Sequence, residues 1–210
     1  GPKPDSRPAS DSPKQTPEKG SKMTQRFRFL CLAASLAVGC GSGVSSNEQA
    51  RLAYLGLDAS IDKAIQLGFD GFNAASSANI PPQMTTGAAA GTLKVTGQVD
   101  QGASANKNMR LNEELVAYSD DGKLVYATSA SALPALSMQL KNIPTGTLDG
   151  TLIGSLAVSG DLTGPLQLNL TFTGTLQPGT TTKVERKPGT TRITGTATSG
   201  NGVYQVDVTR

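Results

Sequence analysis

Residues 147–176 read TLDGTLIGSLAVSGDLTGPLQLNLTFTGTL, and their alternation decides the fold. Leu148, Gly150, Leu152, Gly154, Leu156, Val158, Gly160 and Leu162 share one parity, continued by Leu166, Leu168, Leu170, Phe172, Gly174 and Leu176. The other parity carries Thr147, Asp149, Thr151, Ser155, Ser159, Gln167, Asn169, Thr171, Thr173 and Thr175. Successive side chains of a strand point to opposite faces, so this pattern predicts two long antiparallel strands with one buried and one wet face. The turn between them falls at 160–165. Glycine has no side chain to pack, so several glycines on the buried parity imply strong curvature or close approach of another element, or else bulges and weak positions. The N-terminal helix described next is the obvious candidate for that element.

Shorter period-two segments are expected near 91–100, 109–119, 123–130, 135–143, 190–198 and 203–209. Asp121-Gly122 and Asn201-Gly202 are hairpin signals, and Pro134 and Pro144 bracket the fourth strand. The result is a mainly β domain over 81–210. Its antiparallel meander of about eight strands forms a curved sheet, a sandwich or a barrel. Ahead of it, Ala50, Tyr54, Leu57, Ile61, Ala64, Ile65, Gly68 and Phe72 recur at a helical period. One helix is therefore expected over 48–80, packed on the sheet. Ser46 or Asn47 caps its start, and Pro81-Pro82 end it.

The start of the chain has a different composition. Residues 1–22 are rich in Pro, Ser and Lys without apolar periodicity, which reads as disorder. Translation is expected to start at Met23. Residues 23–40 read MTQRFRFLCLAASLAVGC. Arg26 and Arg28 precede about a dozen mostly apolar residues, too few for a bilayer core but suited to a signal-peptide h-region. The segment Ala37-Val38-Gly39-Cys40 resembles the lipobox of bacterial lipoproteins, with Ala37 where the family usually has Leu. The resemblance implies that residues 23–39 are removed and that Cys40 is acylated, making membrane lipid its partner. Gly41, where the family places Asp for inner-membrane retention, points to the outer membrane. Residues 40–47 then form a Gly/Ser tether.

Removing the leader changes the charge. Residues 1–39 hold seven of the 19 Lys/Arg and three of the 16 Asp/Glu, leaving 12 basic and 13 acidic residues from Cys40 onward. That balance gives no electrostatic footprint for nucleic acid. Of the two cysteines only Cys40 remains, so stability rests on an aliphatic core with no Trp.

The chain has no His, which removes the commonest general base, the usual triads and most zinc sites. No phosphate-cradling glycine motif precedes a helix. Glu113-Glu114 point to opposite faces of a strand, so either one lies on the buried parity or the strand frays there. Asp120-Asp121-Gly122 reads as a turn. Asp58 and Asp62, at i and i+4, read as a solvated helix face. The loop 177–189 carries Lys183, Arg186 and Lys187 as candidate contacts to lipid headgroups or an acidic partner.

No cofactor, metal site or catalytic residue is expected. The expected function is a non-enzymatic envelope module, structural or binding protein or glycan. The alternative is a carrier of an apolar ligand in a cavity between helix and sheet, and burial on the inner face decides between them.

Overall fold

The computed structural model describes residues 43–179 and 184–210. Its element order is α1 (Asn47–Leu55), α2 (Asp58–Ala74), β1 (Asn79–Thr86), β2 (Ala90–Val99), β3 (Lys107–Ser119), β4 (Leu124–Ala127), β5 (Ala135–Lys141), β6 (Thr147–Gly160), β7 (Gly164–Gln177), β8 (Glu185–Arg186), β9 (Arg192–Ser199) and β10 (Gly202–Thr209). The domain is mainly antiparallel β with an N-terminal helical arm packed on a curved sheet, as the alternation implies.

The meander has eight lanes. β4 and β5 occupy one lane between β3 and β6, β4 beside Gly160 and β5 beside Thr147 to Ile153. Residues 128–134 interrupt that lane, where Glu113 N–H donates to the Pro134 carbonyl. The eighth lane is β1, which is not expected as a strand: the helix expected over 48–80 takes in its first two residues, and no strand is expected before 91. The helical arm stops at Ala74, and Pro81-Pro82 lie inside β1. An edge strand tolerates proline, and the register of β1 with β2 shifts between Ile80 and Gln83. Among the described residues β1 and β10 each pair on one side only, so the sheet they form is open.

The long hairpin β6–β7 runs in unbroken register from Thr147↔Thr175 to Val158↔Gly164. Leu148, Leu152, Leu156, Leu166, Leu168, Leu170 and Phe172 are buried on its inner face. What fills the space beside its glycines is neighbouring sheet rather than the helix. A Cβ at Gly154 would lie 2.5 Å from Pro134 Cα, so the interrupted lane presses onto β6 there.

Close approach of helix to sheet uses the helix's own glycines. A Cβ at Gly68 would come within 3.1 Å of Met109 Sδ and 3.3 Å of Leu111. The arm is broken at Gly56, for a reason visible in the hydrogen bonds. Leu57 N–H donates to the Tyr54 carbonyl, which leaves Ala53 C=O without its helical partner. The Tyr126 hydroxyl donates to that carbonyl at 2.6 Å. Ser46 caps α1 by accepting from Gln49 N–H.

Ala50, Ala53, Tyr54, Leu57, Ile61, Ala64, Ile65 and Phe69 pack with the inner face of the sheet into one core. Among the described residues no helix is long and apolar enough to cross a membrane.

Candidate functional site

Strand register builds the outer face row by row. One row crosses all eight lanes as Asn79, Gln98, Arg110, Ser137, Thr151, Thr171, Thr194 and Asp207. The next runs Asn108, Gln139, Asp149, Thr173, Arg192 and Thr209. A trough of about 600 Å³ lies over these rows, lined by Asn108, Arg110, Ser137, Gln139, Asp149 and Thr151 among others. Its charged residues are paired: Arg110 with Asp100 at 3.1 Å and Lys141, beside it, with Asp149 at 3.3 Å. What remains is a field of hydroxyls and amides that donate and accept hydrogen bonds without net charge.

The inner face holds the buried charges. Of the expected solvated pair, Asp58 is buried, while Asp62 stays about half exposed. Arg186 reaches both, Nη1 donating to Asp58 Oδ1 at 3.0 Å and Nε to Asp62 Oδ1 at 2.6 Å. The Tyr54 hydroxyl and Arg210 Nε also donate to Asp58. Burial alone would raise the Asp58 carboxyl, but the Arg186 charge and these hydrogen bonds hold it below the usual carboxylate range. Burial likewise disfavours the Arg186 charge, and the two carboxylates more than reverse that.

The expected basic loop therefore loses one member. The Arg186 side chain is 5% exposed and ties β8 to α2. Lys187 is exposed and lines a cleft of about 480 Å³ with Arg210, Pro188 and Gly189. Lys183 lies outside the described residues, as do Cys40 and the lipobox residues Ala37, Val38 and Gly39.

Glu113 and Glu114 do point to opposite faces. Glu114 pairs with Lys94 across the β2–β3 ladder. Glu113 is buried on the inner parity between Leu111 and Leu115, and neither carboxylate oxygen has a hydrogen-bond partner. Burial pushes it up to about 7, with no neighbouring charge to offset the cost. The turn reading of Asp120-Asp121-Gly122 agrees with the geometry: Asp121 Oδ1 accepts from Lys123 N–H at 2.8 Å and Leu124 N–H at 2.9 Å. Asp120 accepts from Lys63, Tyr118 and Ala88 N–H.

The outer trough was visible in the sequence only as a polar parity. The alignment of its rows across lanes depends on register, which pairing partners set. Comparison with protein-family models, curated proteins and solved structures finds no match.

Proposed function

We propose that this chain is a non-enzymatic binding module of the bacterial envelope, held to a membrane through acylated Cys40, that takes an uncharged polar polymer such as a glycan strand across the outer face of its sheet. The trough over β3, β5, β6 and β7 carries this reading. A concavity with convergent polar groups is the default place for a ligand. Its neutralised charges and its hydroxyl and amide rows suit a hydroxylated ligand better than a phosphate or an acidic peptide. The lipobox resemblance of residues 37–40 supports anchoring and export to the outer membrane. The lack of histidine supports a binding rather than a catalytic role.

The carrier alternative has less support, because Tyr54, Leu57, Ile61 and Ile65 occupy the space it requires. Co-sedimentation with insoluble cell-wall glycan tests the proposal. The wild type is expected in the pellet and Thr171→Lys, which places a charge in the trough, in the supernatant. Equal pelleting of the two, or none of either, contradicts it. Anchoring is tested separately: Cys40→Ser is expected to leave the membrane fraction, and retention there rejects acylation as the tether.

A further inference from the structure

The topology brings several features to one end of the molecule. Gly43 is docked there, its carbonyl accepting from Asn201 Nδ2 at 3.2 Å. Gly43 and Val44 line a small cleft together with Leu162 and Thr163, in the turn between β6 and β7. Two residues, Gly41 and Ser42, separate Gly43 from Cys40, and fully extended the three Cα–Cα steps reach about 10 Å.

Leu162 also lines a second, larger groove of about 430 Å³. That groove runs between α1 and the turns 120–123 and 161–163. Leu52, Leu55, Leu124 and Leu162 form its apolar wall, and Asp121, Lys123 and Asp161 are its charged lining residues. Leu52 is 43% exposed on the outer side of α1, a position where a helix that buried only one face would carry a polar residue. Two carboxylates against one lysine give no basic patch, so attraction to this groove is apolar rather than a response to anionic headgroups.

We infer that this end is the membrane seat: α1 and the turns 120–123 and 161–163 rest on the bilayer, and the groove takes an acyl chain of a membrane phospholipid. The inference rests on Cys40 being the anchor, since the short tether is what brings a lipid surface to this end. It also orients the molecule. Gly43 sits by the start of β7 and Arg186 pairs with its end at Leu176, so the Lys187 loop hangs from the other end of that strand.

The chain lacks tryptophan, so one introduced reporter is read without background. The acylated full chain is made as Leu52→Trp and, separately, as Pro188→Trp, and bound to phosphatidylcholine vesicles with or without bromine on the acyl chains. Flotation with the vesicles is checked first. In bound protein, Leu52→Trp fluorescence is expected to fall roughly twofold or more on bromolipid, as for a side chain set at the headgroup–acyl boundary. Pro188→Trp is expected to be unchanged, and both signals to be insensitive to added salt. Unquenched Leu52→Trp on floating vesicles, or quenching at Pro188→Trp instead, overturns the seat while leaving the anchor intact. Failure of the acylated protein to float overturns the anchor, and the seat with it.

Discussion

The two faces of the sheet handle polar groups in opposite ways. On the outer face, Thr151, Thr171 and Thr194 lie in register, and the exposed ion pairs Arg110–Asp100 and Arg192–Asp207 sit among them. On the inner face buried polar groups are few, and they range from Asp58, matched by the distant Arg186, to Glu113, left unmatched. The comparison separates stability from recognition. Under the proposed function, changes on the inner face are expected to move the folding equilibrium and changes on the outer face to move binding.

The largest effect is expected at the inner tie. Arg186→Met removes the buried counter-charge of Asp58 and leaves it only the Tyr54 hydroxyl and the half-exposed Arg210, a loss of up to about 3–5 kcal/mol for breaking a buried pair. Urea unfolding at pH 7 measures it. Glycan retention per folded molecule should not change; if it does, the two faces are coupled.

A smaller effect concerns pH, and its sign differs between the two buried acids. Asp58 has a lowered pKa, so its contribution is full above the ordinary aspartate range and is lost as pH falls through the lowered value. Glu113 has a pKa raised from 4.5 to about 7, so its contribution is full below 4.5 and declines as pH rises to about 7. In that upper window the wild type should lose up to about 1.4 kcal/mol per pH unit. Glu113→Gln should flatten the slope there and leave the acid side unaltered. A slope that persists in Glu113→Gln assigns it to another group.

The smallest change in stability is expected on the outer face. Thr171→Lys should shift unfolding by no more than about 0.5 kcal/mol, as surface substitutions generally do, while abolishing glycan retention. Removing the Arg192–Asp207 pair, exposed on both sides, should leave the urea midpoint where it is.

Much of this architecture was legible in the sequence, and the failures have physical causes. The parity of 147–176 reported β6 and β7 because one face is dry and the other wet along their whole length. The same parity, Met109, Leu111, Glu113, Leu115, places Glu113 inside. β1 was hidden because Pro81-Pro82 read as the end of a helix, whereas an edge strand accommodates them. The shared lane of β4 and β5 depends on long-range pairing that local periodicity does not contain. Asp58 reads as solvated in the sequence because Arg186 lies 128 residues beyond it, whereas Asp62 is indeed exposed. The one local clue was that neither aspartate has a basic residue three or four positions away on α2. The trough needs the register of four strands at once, and no single segment carries that information.

The central claim is that ligand meets the outer face while the inner face stays closed. Amide chemical-shift mapping with a soluble cell-wall glycan fragment tests it most directly. Shifts are expected to concentrate at Asn108, Arg110, Ser137, Gln139, Thr151 and Thr171, with Tyr54, Ile61 and Ile65 unmoved. Shifts centred on those three inner residues, produced by an apolar ligand and not by the glycan, would contradict it.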